Sequence, residues 1–173
     1  QLVLEKRVDA IGECGLDLYT DEYRSRREDQ EFVWNAQLEL AQEYGLPVVL
    51  HVRKAMPAVF AETAKLRRLS SVVFHGWGGS AVEARSLLDR GIPAFFSAGK
   101  GLLRGHKGLR ETVRTIDPSR ILAETDAPWM TLKGESVSLF TDIGSVYREI
   151  ALLRDMTEEA LCPLLLDNFT RVF

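Results

Sequence analysis

Hydrophobic residues follow two alternating patterns along this chain. Short continuous apolar runs bounded by turn residues are typical of buried strands, whereas apolar residues three or four positions apart are typical of helices. Runs of the first kind occur at Val8 to Glu13, Pro47 to His51, Ser71 to His75, Ile92 to Ser97 and Ile121 to Glu124. Helical spacing follows each run, so the pattern predicts a series of βα units.

Serine and glutamate pairs mark where two of the helices should begin. Ser25 with Glu28, and Ser80 with Glu83, match the capping box, in which each side chain bonds the backbone N–H of the other residue. The apolar faces of these helices are predicted from helical spacing: Phe32, Ala36, Leu40 and Tyr44 on the first, and Val82, Leu87 and Leu88 on the other.

Strands that alternate with helices predict an α/β fold with a parallel sheet covered by helices. A doubly wound sheet would make residues 1–173 a complete domain. A (β/α)8 barrel of the TIM type would make them a single but partial domain, with about five of the eight βα units present. Periodicity does not distinguish the two architectures.

Four residues with metal-binding side chains lie at, or within two residues of, the ends of predicted strands: Glu13, His51, His75 and Asp126. In a barrel, the carboxyl ends of the strands meet in one mouth, where active sites are built. Imidazole and carboxylate groups together suit divalent ions such as zinc or manganese. Each residue also has an ordinary structural interpretation, for example a turn former at Asp126. The recurrence of histidine at the same place in consecutive units favours the metal site.

Composition narrows the class of protein. The chain has 46% hydrophobic and 27% charged residues, which is typical of a soluble globular domain. Its net charge of −3 argues against a globally basic nucleic-acid binder, although a local basic surface remains compatible with it. The cysteines, Cys14 and Cys162, are too few for a disulfide framework. We therefore expect free thiols and a cytoplasmic location.

The motifs around these residues, taken in order, resemble the TatD-related deoxyribonuclease family along nearly the whole chain. They are Gly12-Glu13-Cys14-Gly15-Leu16-Asp17, then Gln30 and Gln37, Pro47-Val48-Val49-Leu50-His51-Val52-Arg53, His75-Gly76-Trp77-Gly78-Gly79 and Glu124-Thr125-Asp126-Ala127-Pro128. The resemblance implies the barrel rather than the doubly wound sheet.

The resemblance also implies a site with two divalent metal ions (Zn, Mg or Mn). Glu13 would bridge the ions, His51 and His75 would bind the second, and Asp126 would bind the first, so that Glu13 and Asp126 are the candidate catalytic residues. The family's His-x-His pair, which completes the first metal site, does not occur in this sequence. Because the chain also begins without methionine, we expect an N-terminal part to precede it, and we expect this chain alone to be inactive.

Two further departures from the family pattern concern packing and the substrate cleft. Cys14 stands where an aliphatic residue is usual, and strand alternation predicts that it faces away from Glu13. The segment after Trp129 is shorter than the loop that the family usually has there, which alters that part of the cleft.

The activity that the resemblance implies is cleavage of phosphodiester bonds in DNA. Two ions in one site activate a water and stabilise charge on the phosphoryl oxygens. Arg53 is a candidate phosphate contact through its bidentate fork, and Trp77 and Trp129 would either stack on a base or close over the pocket. Cations on a glycine-rich segment are further candidates for the nucleic-acid backbone: Lys100, Arg104, His106 and Lys107.

Two alternatives stay open from the sequence. An amidohydrolase-like metallohydrolase would use similar ligands, but it usually has a carboxylated lysine, and no lysine stands in the position of Glu13. A non-catalytic fragment or interaction module is the other alternative. An unclosed barrel exposes two sheet edges, and such a chain is expected either to be unstable or to self-associate.

Overall fold

The computed structural model describes residues 1–173 and contains a single sheet with strand order β1-β2-β3-β4-β5. The strands are β1 Ile11–Asp17, β2 Val48–Arg53, β3 Val72–Phe74, β4 Ala94–Ala98 and β5 Ile121–Ala123. The pairs β1 with β2, β2 with β3, and β4 with β5 are parallel. Sequential order and parallel pairing confirm the predicted α/β class.

Helices connect the strands. Their bounds are α1 Asp21–Ser25, α2 Arg27–Tyr44, α3 Met56–Ala61, α4 Thr63–Leu66, α5 Ala81–Asp89, α6 Lys107–Thr115, α7 Ile143–Arg154 and α8 Glu158–Val172. Short 3₁₀ turns occur at Pro118–Arg120 and Phe140–Asp142. None of the helices has the length and apolar character that a membrane span requires.

The chain forms two compact units. The first comprises residues 1–75, 86–95 and 172–173, and the second comprises residues 76–85 and 96–171. Strands β1 to β3 with helices α1 to α4 belong to the first unit, and α6, β5, α7 and α8 belong to the second. The single domain expected for residues 1–173 therefore stays a prediction.

The first unit is centred on strands whose side chains alternate between core and solvent. Cys14 and Leu16 of β1 and Leu50 of β2 are buried, whereas Glu13, directly before Cys14, is exposed. This alternation is the two-residue period of a strand with one face in the core. This alternation agrees with the prediction that Cys14 faces away from Glu13 and packs in the core.

Strand β1 is longer and begins later than the sequence pattern predicts. It runs through Gly12 and Gly15 to Asp17, so Glu13 lies inside the strand rather than at its end. The prediction was wrong because it took the glycines as strand terminators. Gly15 instead pairs with His51 of β2 and continues the strand.

The buried face of α2 also differs from the predicted one. Phe32 is 77% exposed and Tyr44 is 40% exposed, and Ala36 is exposed as well. A strict four-residue spacing drifts around a helix by about 40° at each step, because a turn takes 3.6 residues. Trp34, Leu38 and Ala41 advance by four and then three residues, stay on one face, and are the buried residues of α2. Val82 of α5 is likewise 74% exposed, contrary to prediction.

One of the two predicted capping boxes is present. Ser80 Oγ accepts the Glu83 N–H at 3.2 Å, and Glu83 Oε2 accepts the Ser80 N–H at 2.7 Å. The box at Ser25 is wrong, because a helix already begins at Asp21 with Thr20 as its cap. Ser25 therefore lies at the end of α1, where its hydroxyl donates to a backbone carbonyl instead.

The core of the second unit lies between α6, α7, α8 and the strands they cover. Its fully or almost fully buried apolar residues include Phe96, Leu102, Val113, Ile121, Val146, Ile150 and Leu161. Asn168 of α8 joins this core through its side chain, which donates to the carbonyls of Pro118 and Ile121 at 2.8 Å each.

The corrected face of α2 leads to a paired prediction. Leu38→Ala, at a side chain only 1% exposed, should reduce the free energy of unfolding by about 2–5 kcal/mol, because it leaves a cavity. Phe32→Ala, at a side chain that is 77% exposed, should change it by less than about 0.5 kcal/mol. Urea denaturation of both variants measures the difference. If Phe32→Ala lost more unfolding free energy than Leu38→Ala, the buried face of α2 would be the one predicted from the sequence.

Candidate metal centre

Three of the four predicted ligands come together in the first unit. Glu13 lies on β1, His51 on β2, and His75 immediately follows β3. One ligand atom from each residue lies within 4.8 Å of those of the other two. Glu13 Oε1 is 3.7 Å from His75 Nε2, and Glu13 Oε2 is 3.8 Å from His51 Nδ1. Neighbouring parallel strands thus bring one carboxylate and two imidazoles into a single cluster.

The donor set and its spacing fit a divalent ion. A bond from zinc to nitrogen or carboxylate oxygen is about 2.0–2.2 Å, so two atoms on the same ion are roughly 3–4 Å apart. The two distances from the Glu13 oxygens to the imidazole nitrogens lie in this range. The side chains of His51 and Glu13 are 36% and 52% exposed, and that of His75 is 12% exposed. An ion could therefore reach the cluster from solvent.

The approach of β1 to β2 depends on a glycine. A Cβ atom at Gly15 would lie 2.3 Å from the carbonyl oxygen of His51, and Gly15 has a φ of +122°. An L-residue with a side chain rarely adopts that φ, and no side chain fits the space. Gly15 is therefore required for the register that sets Glu13 beside His51.

A carboxylate that the sequence-based prediction did not assign to the site contacts the cluster as well. Asp17 Oδ2 is 3.3 Å from His51 Nε2. Gln30 of α2 holds the backbone of Asp17: its amide oxygen accepts the Asp17 N–H at 2.8 Å, and its amide nitrogen donates to the Asp17 carbonyl at 3.1 Å. The available signal was strand alternation, since Asp17 is four residues after Glu13 and thus on the same face of β1.

Arg53 lies at the end of β2 on the same face as His51. Its guanidinium stacks over the ring of Tyr19 at 3.9 Å and lies 3.6 Å from Asp17 Oδ2. The side chain remains 50% exposed, so the guanidinium can still meet an anion. The structure thus places the predicted phosphate contact beside the cluster, already oriented by an aromatic ring.

A cavity of about 300 Å³ opens next to the cluster. It is lined by Glu13, Cys14, Gly15, Asp17, Gln30, Val33, Gln37 and His51. Burial, together with the charge of Glu13, raises the pKa of the Cys14 thiol to about 12. Cys14 is therefore a neutral packing group at this cavity, and both cysteines are free, as predicted.

Asp126 belongs to the second unit. It follows β5 by three residues and has a left-handed backbone with φ of +57°. Its carbonyl accepts the Trp129 N–H at 2.7 Å, so it forms a turn. Asp tolerates this conformation better than most residues do. Its role as a metal ligand remains a prediction.

Trp77 is only 3% exposed, contrary to the expectation of a substrate contact. Its indole N–H donates to Thr112 Oγ1 at 3.0 Å. Its ring packs edge-on against that of Phe96, with 4.8 Å between the ring centroids. A ring enclosed in this way has no exposed face on which a base could stack, so Trp77 is a core residue in this structure. Trp129, by contrast, is 71% exposed.

The glycine-rich segment after β4 presents only three of the four predicted cations at its surface, because Arg104, His106 and Lys107 are exposed. Lys100 is fully buried, and its ammonium donates to Glu135 at 2.6 Å and to Asp142 at 2.7 Å. Arg104 donates to the carbonyl of Thr131, and His106 caps α6 by accepting the Leu109 N–H at 3.1 Å. The expectation of a nucleic-acid contact is wrong for Lys100, because a buried cation needs carboxylate partners.

The ionic bonds of Lys100 alter the titration of its partners. Burial alone lowers the pKa of Lys100, but the hydrogen bonds to Asp142 and Glu135 outweigh it, and the pKa is raised. The same bond from Lys100 lowers the pKa of Asp142, with help from the Leu139 N–H. The pKa of Glu135 is lowered in the same way, first by Lys100 and then by the Leu132 N–H. All three groups are therefore charged at neutral pH.

Comparison with known proteins identifies the class to which this fold and cluster belong. The model of the family TatD related DNase matches residues 1–173. A curated relative from Erwinia amylovora, the 3'-5' ssDNA/RNA exonuclease TatD, is 41% identical over 125 residues, which is 71% of this chain and 47% of that protein. A Bacillus subtilis relative, the uncharacterized metal-dependent hydrolase YabD, is 31% identical over 178 residues, covering 100% of this chain and 68% of that protein.

Solved structures agree with the sequence relatives. YJJV, a TatD homolog from Escherichia coli K12, superposes with a TM-score of 0.86 at 29% identity and covers 98% of this chain and 66% of that chain. A TatD-family hydrolase from Entamoeba histolytica has a TM-score of 0.81 at 18% identity, covers 98% of this chain and 64% of that chain, and supports the fold alone. These matches confirm the predicted TIM-barrel-type α/β fold.

The class is thus that of the TIM-barrel metal-dependent hydrolases. Within it, the chain belongs to the TatD related DNase family, because that family's model matches its whole length. The chain spans about half the length of the curated TatD exonucleases it matches.

The ion pairs of Lys100 predict a pH dependence of stability. Asp142→Asn should lower the urea midpoint at pH 7, because it removes one charged partner of a buried ammonium. A carboxylate whose folded pKa is lowered contributes its stability above the unfolded pKa, near 4, and loses it as the pH falls through the folded value. The difference between the midpoints of the original chain and the variant should therefore begin to shrink below about pH 4 and vanish below the lowered folded pKa of Asp142.

The matched control is Asp167→Asn, at a side chain that is 67% exposed with a 3.9 Å ion pair to Arg171. It should leave the midpoint almost unchanged at either pH, because such surface pairs contribute little. A constant difference between Asp142→Asn and the original chain from pH 7 to pH 3 would contradict the role of Lys100.

Proposed function

We propose that this chain carries part of the active site of a metal-dependent nuclease that cleaves phosphodiester bonds in DNA. The observation that carries the proposal is the Glu13, His51 and His75 cluster, whose ligand atoms lie within 4.8 Å of one another. Membership of the TatD related DNase family supports it.

The proposed ligand set extends the cluster by one residue. Glu13, His51 and His75 would hold one divalent ion, and Asp126, which we include because of its family motif, would be a ligand of a second ion. Zinc, magnesium and manganese are the candidate ions. Nitrogen donors favour zinc or manganese at the histidine pair, since magnesium prefers oxygen ligands.

The bound ions would supply an activated water and neutralise charge on the phosphoryl oxygens. The residues of the chain supply orientation and charge. Glu13 lies between the two imidazoles, with one oxygen toward each, so it would hold an ion together with both histidines. Arg53, stacked on Tyr19, would donate hydrogen bonds from its fork to the substrate phosphate and so position the nucleic-acid strand.

We propose single-stranded nucleic acid, cut from its 3' end, as the substrate. The 3'-5' ssDNA/RNA exonuclease activity named for the relatives supports this. Arg53 beside the half-exposed ring of Tyr19 suits an unpaired strand, because it combines a phosphate contact with an aromatic surface. A cytoplasmic location and self-association of the chain stay predictions.

The histidines provide the direct test of the metal site. His51→Ala and His75→Ala should each weaken zinc binding by at least about tenfold, because each removes one nitrogen ligand of the cluster; losses of 10–100-fold follow even from outer-shell changes. Competition with a chromophoric chelator measures the affinity.

The chain offers a matched control in its third histidine. His106→Asn keeps a side chain that caps α6, since asparagine is a good N-cap and His106 serves that role here. Zinc affinity should be unchanged in His106→Asn. Equal affinity in all three variants and the original chain would contradict the metal site.

Arg53 provides the test of the nuclease role. Binding of single-stranded DNA should become less salt-dependent in Arg53→Ala, with the slope of log K against log salt reduced by about 0.7 for one lost phosphate contact. Binding and metal-dependent cleavage are measured for this chain and for a longer version preceded by the N-terminal βα units of a relative.

The control for Arg53 is Arg68→Ala. Arg68 is exposed and precedes β3, so it lies toward the amino-terminal ends of the strands, whereas Arg53 lies at the carboxyl end of β2. The salt slope of Arg68→Ala should equal that of the unmodified protein. If the longer version binds metal but cuts no nucleic acid while hydrolysing a cyclic amide, the amidohydrolase alternative replaces the nuclease. If it binds no metal, the ligand residues return to structural roles.

A further inference from the structure

We infer that Asp17 is a positioning residue for His51, which it holds in the tautomer that carries the proton on Nε2. In that tautomer the lone pair is on Nδ1, the nitrogen that faces Glu13. The inference deepens the proposed function, on whose metal site it rests, and it names a residue that acts through a ligand rather than on the substrate.

The two nitrogens of the His51 ring face different partners. Nε2 lies 3.3 Å from Asp17 Oδ2, and Nδ1 lies 3.8 Å from Glu13 Oε2. An ionised carboxylate only accepts hydrogen bonds, and a neutral imidazole donates from one nitrogen and accepts at the other. The nearer carboxylate, Asp17, therefore takes the N–H, which leaves Nδ1 as the nitrogen able to bind a metal.

Asp17 is itself held from several sides, so it can impose this choice. Its Oδ1 accepts the Tyr19 N–H at 2.8 Å, and its side chain is only 19% exposed. Gln30 bonds both the N–H and the carbonyl of Asp17. The same Gln30 amide also donates to the carbonyl of Tyr23 at 2.8 Å, which ties the end of β1 to α1.

One further group faces Asp17 Oδ2, and it does not compete for the same role. Arg53 approaches this oxygen at 3.6 Å while its guanidinium stacks on Tyr19. A guanidinium has only donors and a carboxylate oxygen has two lone pairs, so Arg53 does not exclude the bond from His51 to this oxygen. The register of the strands, in which Gly15 pairs with His51 and Asp17 with Arg53, sets all of these groups on one face.

Asp17→Asn tests the inference with little change of shape. The Asn oxygen keeps the bond to the Tyr19 N–H, so the amide nitrogen replaces Oδ2 and donates to His51 Nε2. The ring proton must then move to Nδ1, the nitrogen intended for the metal. We expect long-range proton–nitrogen NMR spectra at pH 8 to show Nε2–H in the original chain and Nδ1–H in the variant, and zinc affinity to fall about 10–100-fold.

The controls separate this inference from the proposed function. Asp29→Asn makes the same chemical change at an exposed position paired with Arg26, and it should alter neither the tautomer nor the affinity. Circular dichroism establishes that each variant is folded. If Asp17→Asn does not fold, Gln30→Ala takes its place. That variant keeps Asp17 but removes the two hydrogen bonds from Gln30 to the Asp17 backbone, so both tautomers of His51 should appear.

Each outcome decides one of the two ideas. An Nδ1–H tautomer in the original chain, or an unchanged tautomer and affinity in Asp17→Asn, overturns the role of Asp17. If His51→Ala binds zinc as well as the original chain does, the metal site fails, yet a tautomer that reverses in Asp17→Asn still supports the bond from His51 to Asp17. Reversal together with weakened zinc binding supports both.

Discussion

The close contact between β1 and β2 at Gly15 is the constraint on which the rest of the site depends. The backbone of Gly15 lies so near the His51 carbonyl that a Cβ atom would overlap it. This contact fixes the pairing of Gly15 with His51 and of Asp17 with Arg53. A shift of one residue would turn every side chain of β1 to the other face of the sheet, so the polar cluster and the buried core both depend on it.

Strand alternation gives the sheet of the first unit a buried apolar face and an opposite polar face. Cys14, Leu16 and Leu50 face the core and are buried, and their burial provides the hydrophobic stabilisation of the strands. Glu13, Asp17 and His51 alternate with them and meet on the other face. The candidate ligands Glu13 and His51, and Asp17 beside them, are therefore positioned by the same strands that stabilise the unit, which is the arrangement that a preorganised metal site needs.

In the second unit, the charged side chain of Lys100 is part of the folded core rather than of the surface. Lys100 stands in a glycine-rich segment with other cations, a pattern that sequence alone associates with a charged surface. In the structure it is buried and bonded to Glu135 and Asp142, which are 35 and 42 residues away in the chain. Charge patterning along the chain therefore does not reveal which cations face solvent, because the partners that neutralise a buried charge come from distant segments.

The sequence by itself determined the order of strands and helices, the fold class and the three members of the candidate metal site, because periodicity and residue type are local properties. The tertiary structure alone decided which face of α2 is buried, that β1 continues through Gly15, and that Trp77 is enclosed. It also brought Asp17 to His51. These features depend on contacts between residues far apart in the chain, and local spacing carries no information about how closely two strands approach or which partner a side chain meets.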